Sequence, residues 1–155
     1  SSGTASRLKV TRASGVTFAD VKDNCDSGQF MAIQKAAAAA LDDDQIPPTT
    51  RRKYQRRLEK LVTLLNRCGF NCDMPGGTYF LYVRAPRGAE GGASFAAAED
   101  ASQFLISQHS IVTVPWDDAG AFLRFSVTYE APDEKAEDAL MEAAAARFAK
   151  MSLQF

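Results

Sequence analysis

The sequence predicts an α+β fold in which helices pack against one side of a small, mostly antiparallel sheet. Apolar residues recur at three- and four-residue steps in the segments 29–41, 49–68, 95–108 and 133–151, which is the period of amphipathic helices. Short segments rich in aromatic and β-branched residues lie between the later helices. A chain of 155 residues is long enough to form one domain with its own core.

Two helices are predicted before Pro47, and the second is rich in alanine. A helix is expected over residues 18–24, with a break at 25–28, where Asp, Ser and Gly favour a turn. In the next helix, over 29–41, the alanines indicate close helix packing. The apolar residues near one face of this helix are Phe30, Ile33, Ala37 and Ala40.

The helix over 49–68 has the clearest boundaries. The pair Pro47-Pro48 is expected to end the preceding helix, and Thr49 or Thr50 is expected to cap the new one. Gly69 is its stop signal. Its apolar stripe consists of Tyr54, Leu58, Leu61, Leu65 and Cys68.

Strands and helices alternate in the second half of the chain. A strand is predicted over 78–84, and residues 86–92 form a glycine-rich loop without the Gly-Lys-Ser/Thr of a phosphate loop. Ser94 is expected to cap the helix over 95–108. Two short strands, near 111–114 and 121–128, precede the final helix.

Composition argues against several classes of function. A net charge of −1, with 46% hydrophobic and 24% charged residues, gives no electrostatic reason to expect nucleic-acid or anionic-membrane binding. No segment approaches the roughly 20 apolar residues that span a bilayer. The start of the chain lacks a signal-peptide pattern and an initiator methionine, so we interpret it as the beginning of a fragment.

Cysteine and histidine are too few for a metal centre. Cys25, Cys68 and Cys72 are an odd number of cysteines, and we expect free thiols in a reducing compartment. His109 is the single histidine, which argues against a zinc cluster or a Ser-His catalytic pair. We expect His109 near the end of a helix.

One cluster of basic residues stands out, formed by Arg51, Arg52, Lys53, Arg56 and Arg57. A nucleic-acid-binding patch is one interpretation, but aromatic residues rarely interrupt the cluster and the chain is slightly acidic. We interpret it as the solvated face of an amphipathic helix, balanced by the aspartates at 42–44 and by Glu59.

Arg124 is the most informative single residue, because it interrupts an apolar, strand-like run, Ala-Phe-Leu-Arg-Phe-Ser-Val. A guanidinium group in such a strand needs an anionic partner, and its planar donors match a carboxylate bidentately. The partner is either a substrate carboxylate or an internal Asp or Glu. Alternatively, the side chain lies outward in water.

Three motifs follow one another in the chain: Asp-Ser-Gly-Gln-Phe from Asp26, Pro-Gly-Gly-Thr-Tyr-Phe from Pro75, and Val-Pro-Trp-Asp-Asp-Ala-Gly from Val114 with Arg124 after it. Their order and spacing resemble the C-terminal small domain of fold type I, class I/II pyridoxal-phosphate-dependent aminotransferases. The resemblance covers the chain from about Val16 onward. Within the family, the motifs are most similar to those of LL-diaminopimelate aminotransferases.

The resemblance implies a role for each motif. Arg124 matches the arginine that binds the α-carboxylate of an amino-acid or 2-oxo-acid substrate, and Thr78 and Tyr79 match the segment that lines the substrate side of the cleft. Gly76 and Gly77 either allow close backbone approach or only make a tight turn. Pyridoxal 5′-phosphate is the implied cofactor and acts as the electron sink.

Further residues receive supporting roles from the same resemblance. Asp26, Ser27 and Gln29 match the part of the cleft that contacts the cofactor or the partner subunit. Trp116 and Asp117 belong either to a loop that moves when substrate binds or, for the tryptophan, to the core.

The chain also departs from the family pattern. The lysine that forms the Schiff base should lie roughly thirty residues before Asp26, and neither Lys9 nor Lys22 matches it. We therefore expect a domain over 16–155 after a poorly matched segment 1–15. We expect no catalysis without the missing large domain, and a cytoplasmic homodimer when it is present, or a plastid one in a photosynthetic eukaryote.

Two other functions stay open at this point. A noncatalytic interaction or regulatory module could keep the small-domain fold, and the full-length gene would then lack the Schiff-base lysine. A basic-helix nucleic-acid binder would lose affinity steeply with salt.

Overall fold

A computed structural model describes residues 20–21, 25 and 30–155. The chain divides into two units, Ser1–Ile46 and Pro47–Phe155. Segment 1–15 lies outside the described residues, and the predicted domain over 16–155 stays a prediction.

In the first unit, helix α1 comprises Met31–Asp42, close to its predicted bounds. None of its residues is buried, so the close packing expected from its alanines is not observed. Asp20 and Val21 are helical, as is Cys25, where the sequence indicated a turn.

Helix α2 comprises Ile46–Arg67 and begins earlier than predicted. Pro47 and Pro48 lie in its first turn, where a missing N–H costs nothing because those groups have no partner within the helix. Gly69, with φ of 91°, ends the helix as predicted. The N–H of Phe70 then donates to the carbonyl of Leu65 at 3.0 Å.

The main sheet has the strand order β1-β5-β4, where β1 is Phe80–Arg84, β4 is Val114–Trp116 and β5 is Phe122–Ser126. Both pairings are antiparallel. The predicted strand from residue 78 is wrong in its first two residues, because Thr78 has φ of 74° and cannot continue a strand.

A second antiparallel sheet joins β2 (Gly88–Ala89), β3 (Ala93–Ser94) and β6 (Leu153–Gln154) in the order β3-β2-β6. The prediction of a simple loop at 86–92 is therefore wrong. A Cβ at Gly88 would lie 2.6 Å from the carbonyl oxygen of Ala93, so the close strand approach requires glycine there.

Helix α3 comprises Ala98–His109, and His109 is its last residue, as expected. The predicted cap, Ser94, lies in β3 instead. Asp117 caps the helix from another part of the chain: the N–H groups of Ala98 and Glu99 donate to its carboxylate at 2.8 and 3.3 Å.

Helix α4 comprises Glu134–Phe148 and ends three residues before its predicted end. Its cap is Asp133, whose Oδ1 accepts from the N–H of Ala136 at 2.8 Å.

Helices α2, α3 and α4 contribute to one hydrophobic core with the inward residues of β1 and β5. The α+β prediction, with helices on one side of an antiparallel sheet, is confirmed. No helix among the described residues is long and apolar enough to cross a membrane. Prominent core residues are Leu58, Leu61, Leu65, Phe70, Leu81, Val83, Ala101, Leu105, Leu123, Phe125, Val127 and Phe148.

Candidate functional site

The main sheet has one buried face and one open face because side chains alternate along each strand. Leu81, Val83, Leu123 and Phe125 enter the core. The opposite face, called here the aromatic-basic face, contains only aromatic, arginine, valine and serine side chains. Its members are Phe80, Tyr82, Arg84, Val114, Trp116, Phe122, Arg124 and Ser126.

Arg124 lies at the centre of this face. It is directly opposite Tyr82 on β1 and Val114 on β4. Its guanidinium carbon is 4.3 Å from the centroid of the Phe80 ring and 5.6 Å from that of Trp116. Both distances are within the range of cation–π attraction, so the two rings help to hold the guanidinium in place.

The guanidinium of Arg124 is without a charged partner in residues 30–155. Within the part of the chain that the structure describes, Arg124 forms neither an ion pair nor a side-chain hydrogen bond. The salt bridge to an internal Asp or Glu, one of the alternatives that the sequence left open, is therefore not observed among the described residues. Because the side chain is half-buried, its N–H donors are available to an anion that approaches the face.

Trp116 contributes to the same face and not to the core. It is 40% exposed, and its ring lies edge-on to Tyr82 with the centroids 6.0 Å apart. The core interpretation of this tryptophan is wrong, because Trp116 pairs with Phe122 at an outward position. The adjacent Asp117 caps α3 and so ties the end of β4 to that helix.

Thr78 and Tyr79 lie just before β1, and both contact Phe80, whose ring packs against Arg124. The Oγ1 of Thr78 accepts from the N–H of Phe80 at 3.3 Å. The Tyr79 ring centroid is 4.4 Å from that of Phe80 and 5.7 Å from that of Tyr54 on α2. Tyr79 therefore supports the ring beneath the guanidinium, and Thr78 holds the backbone of the same residue.

Gly76 and Gly77 have open space around them. A Cβ on either would meet no atom within 4 Å, and neither has a positive φ. A tight turn thus gives no reason for glycine at these positions. The remaining predicted site residues, Asp26, Ser27 and Gln29, lie outside the described residues.

A second charged cluster, called here the Glu137 cluster, joins α2 to α4 and consists of Arg56, Arg57, Lys60, Tyr129 and Glu137. Glu137 is only 1% exposed and Arg57 only 2%. Arg57 Nε donates to Glu137 Oε1 at 2.7 Å, Arg56 Nε donates to Oε2 at 2.9 Å, and the Lys60 ammonium is 3.3 Å from Oε2.

The Glu137 cluster corrects the interpretation of the basic residues as a solvated face at one position, Arg57, whereas Arg51, Arg52 and Lys53 are exposed as predicted. Arg57 is buried: its Nη1 donates to the carbonyls of Val127 and Tyr129 at 3.2 and 2.6 Å, and its guanidinium carbon is 4.4 Å from the Tyr129 ring centroid. The sequence contained a signal for this, because Arg57 is three residues after Tyr54 and four before Leu61 on the apolar stripe.

Electrostatics in the Glu137 cluster favour the ionised pair. The hydrogen bonds from Arg56, and then those from Arg57 and Lys60, lower the pKa of Glu137 from 4.5 to about 2 despite its burial. Burial raises the pKa of Tyr129, whose hydroxyl has no hydrogen-bond partner among the described residues. Because Arg57 is buried and its Nε and Nη1 donate to acceptors of the protein, we assign this cluster a structural role.

The cysteines provide neither a metal site nor an activated nucleophile among the described residues. All three are free thiols, as predicted. Burial raises the pKa of Cys68 and of Cys72, which disfavours the reactive thiolate. No group of His, Cys, Asp and Glu in the described part of the chain could hold a metal ion.

Solved structures share this fold. A substrate-bound structure of BacF from Bacillus subtilis superposes with a TM-score of 0.65 at 21% identity, over 81% of this chain and 30% of that one. An aminotransferase from Staphylococcus aureus gives a TM-score of 0.64 at 19% identity, over 83% of this chain and 33% of the other.

Sequence relatives are more similar. The chain is 53% identical over 114 residues to the LL-diaminopimelate aminotransferase of Methanococcus maripaludis, which is 74% of this chain and 27% of that protein. It is 48% identical over 146 residues to the enzyme of that name from Methanocaldococcus jannaschii, which is 89% of this chain and 35% of the relative. The chain thus spans about a third of these relatives or less.

The family model for aminotransferase class I and II matches residues 26–142, three quarters of the chain. This match includes the aromatic-basic face and the arginine at its centre. The chain belongs to the class I and II aminotransferase family.

Proposed function

We propose that this chain is the substrate-binding small domain of a pyridoxal-phosphate-dependent aminotransferase, which transfers an amino group between an amino acid and a 2-oxo acid. The observation that carries the proposal is the half-buried guanidinium of Arg124, which is held against two aromatic rings and has no anionic partner within the described residues. A carboxylate of the substrate matches this guanidinium in charge and in shape.

The role of Arg124 in this proposal is orientation. Two parallel N–H···O bonds fix both the position and the plane of a carboxylate, whereas a single ammonium group would fix only its position. The rings of Phe80 and Trp116 restrict the guanidinium before the substrate arrives, so less conformational entropy is lost on binding. A substrate held in this way presents its α-carbon in one orientation to the reacting group.

The aromatic-basic face does not fit the cofactor itself. It contains no lysine, and the guanidinium of Arg124 cannot form a Schiff base. Lys60 on α2 is bound to Glu137 and Asp138, and the hydrogen bond to Asp138 is the main cause of its raised pKa. We therefore propose that the lysine that attaches the cofactor lies outside this chain, and that this chain contributes substrate binding.

The similarity to LL-diaminopimelate aminotransferases supports a narrower proposal. We propose that the substrate is LL-diaminopimelate with its corresponding 2-oxo acid, in lysine biosynthesis. The large domain would come from the two thirds of the relatives that this chain does not span. We also propose that the full-length protein is a cytoplasmic homodimer. In the same proposal, Thr78 and Tyr79 line the substrate side of the cleft.

The test is steady-state kinetics of Arg124→Lys and Arg124→Gln in the full-length protein, with Arg87→Gln as a matched control. Arg87 is an exposed arginine between β1 and β2 and is not a member of the aromatic-basic face. We expect kcat/KM to fall roughly a hundredfold or more in both Arg124 variants, because each lost charged hydrogen bond costs about 1.5–3 kcal/mol. We expect Arg87→Gln to match the wild type.

Two results would overturn this proposal. Unchanged kcat/KM in Arg124→Gln would mean that the carboxylate binds elsewhere. A folded wild-type protein that does not transaminate, and whose gene lacks the Schiff-base lysine, would establish the noncatalytic module instead.

A further inference from the structure

Strand β4 is a short strand at the edge of the main sheet, and its outward side chains lie beside Arg124. Val114 is directly opposite Arg124, and the centroid of the Trp116 ring is 5.6 Å from the guanidinium carbon. An edge strand of three residues is held by the sheet along one side only. The position of the guanidinium therefore depends in part on what else holds β4.

Helix α3 holds β4 at both ends. Before the strand, Thr113 Oγ1 donates to Ser102 Oγ at 3.0 Å, and Ser102 Oγ donates to the carbonyl of Thr113 at 3.2 Å. Both residues are buried. After the strand, the carboxylate of Asp117 accepts from the N–H groups of Ala98 and Glu99. The strand is thus tied to one helix through a side chain on either side of it.

The tie at Asp117 follows from the residues that begin α3. The N-cap residue is Ala97, whose side chain has no oxygen that could accept from the first N–H groups of the helix. Asp100 accepts from the two N–H groups that precede the helix. The first two N–H groups within the helix are bound by Asp117.

The turn after Asp117 connects this cap to the Trp116 ring. The N–H of Gly120 donates to the carbonyl of Asp117 at 3.2 Å, and Gly120 has φ of 115°. A Cβ at Gly120 would lie 3.0 Å from the ring of Phe122, which is the partner of Trp116 across the strands. Because the backbone of Asp117 closes this turn, a displacement of Asp117 would also displace Trp116.

We propose that Asp117 is a positioning residue for substrate binding. By joining β4 to α3, it holds Trp116 against the guanidinium of Arg124, so that the guanidinium is already oriented when a carboxylate arrives. This inference rests on the proposed function, in which Arg124 binds the carboxylate. It goes beyond that function by giving the segment after β4 a fixed position, where the sequence also allowed a loop that moves when substrate binds.

The first test is ¹⁹F NMR of the full-length protein labelled with fluorotryptophan. Trp116 is the single tryptophan of this chain, and Trp116→Phe identifies its resonance among those of the large domain. In Asp117→Ala we expect this resonance to move towards the position of a solvated tryptophan. In Asp117→Asn it should stay in place, because an amide oxygen still accepts from the N–H groups of α3.

The second test is isothermal titration calorimetry of the full-length protein with pimelate, an unreactive acid with the carbon chain of the proposed substrate. Asp117→Ala should raise the Kd roughly twofold to fivefold, which corresponds to one cation–π contact at a partly exposed site. Asp133→Ala is the matched control, because it removes the cap of α4 with the same loss of charge. It should leave the Kd unchanged.

A double variant tests whether Asp117 acts through Trp116. Trp116→Ala should itself raise the Kd, and adding Asp117→Ala should then have no further effect, since the positioned ring is gone. Asp117→Glu is a milder change that keeps the charge and the acceptor and lengthens the side chain. It should shift the Trp116 resonance in part, and it replaces Asp117→Ala if that variant does not fold.

The inference is overturned if the Trp116 resonance stays in place when Asp117 is changed to Ala or Glu. It is also overturned if Asp117→Ala raises the Kd equally with and without Trp116, or if Asp133→Ala raises it as much. Failure of the proposed function looks different: Arg124→Gln would bind pimelate as the wild type does, whatever happens to the Trp116 resonance.

Discussion

Arg57 and Arg124 are two arginines in similar aromatic surroundings with opposite charge environments. Their guanidinium carbons are 4.4 Å from the Tyr129 ring centroid and 4.3 Å from that of Phe80. Arg57 is almost fully buried and donates to Glu137 and to two backbone carbonyls. Arg124 is half-buried and has no acceptor among the described residues. The comparison teaches that the availability of the N–H donors, and not contact with an aromatic ring, distinguishes a structural arginine from a ligand-binding one.

The largest expected effect comes from removing the carboxylate that Arg57 depends on. Glu137→Ala should lower the free energy of unfolding by about 3–5 kcal/mol, because it leaves a buried guanidinium without its anion. Urea denaturation measures this change. Glu142→Ala, an exposed glutamate on the same helix, is the matched control and should change stability by less than about 0.5 kcal/mol.

If Glu137→Ala lowered the free energy of unfolding no more than Glu142→Ala does, the buried Arg57–Glu137 pair would not stabilise the fold. Arg57 could then not be contrasted with Arg124 as a structural arginine. A double variant, Arg57→Leu with Glu137→Leu, sharpens the result. It should be less destabilised than the sum of the two single variants, because no charge is left unpaired.

The stabilisation that the Glu137 cluster gives to the fold should depend on pH. The pKa of Glu137 is lowered in the folded state from 4.5 to about 2, so the folded state binds its proton less readily than the unfolded state does. The stabilisation is therefore fully present above about pH 4.5 and is lost as the pH falls towards 2. Chemical denaturation at a series of pH values should show this decline, and Glu137→Gln should show a flatter profile.

An equal pH slope in the wild type and in Glu137→Gln would assign the acid sensitivity to other carboxylates. The structural role of Glu137 would then be supported only by its burial and its hydrogen bonds, and not by the pH dependence of stability.

The smallest expected effect on stability comes from Arg124. Arg124→Gln should change the free energy of unfolding by less than about 1 kcal/mol, because only contacts with aromatic rings are lost and no partner is left unpaired. Thermal or urea denaturation checks this, with Arg57→Gln as the strongly destabilised comparison. A loss as large as that of Arg57→Gln would indicate that Arg124 has a structural partner outside the described residues.

Local sequence patterns predicted the fold well where the cause is local. Apolar periodicity placed α2, α3 and α4 and the strands β1 and β5 within a few residues, and Gly69 ends α2 as expected. The short sheet of β2, β3 and β6 was not predicted, because two-residue strands have no pattern and β6 comes from the far end of the chain. Asp117 as the cap of α3 is likewise a contact between distant segments.

Arg57 and Arg124 also show that local sequence patterns do not predict contacts between distant segments. Arg124 was recognisable because a charge in an apolar strand is anomalous within its own segment. The buried environment of Arg57 could not be predicted from its own segment, since its partner Glu137 is 80 residues away in the sequence. The sequence also indicated an anion for Arg124 without deciding between substrate and protein. Only the register of the three strands reveals that Arg84 and Trp116 share its face.

A crystal structure of the full-length protein with bound pimelate would test the central claim most directly. The claim is that this fold leaves the guanidinium of Arg124 unpaired so that it can bind a carboxylate of the ligand. We expect one carboxylate of pimelate within hydrogen-bonding distance of the Arg124 guanidinium, with Phe80 and Trp116 still against it. An Asp or Glu of the protein paired with Arg124, and pimelate bound elsewhere, would contradict it.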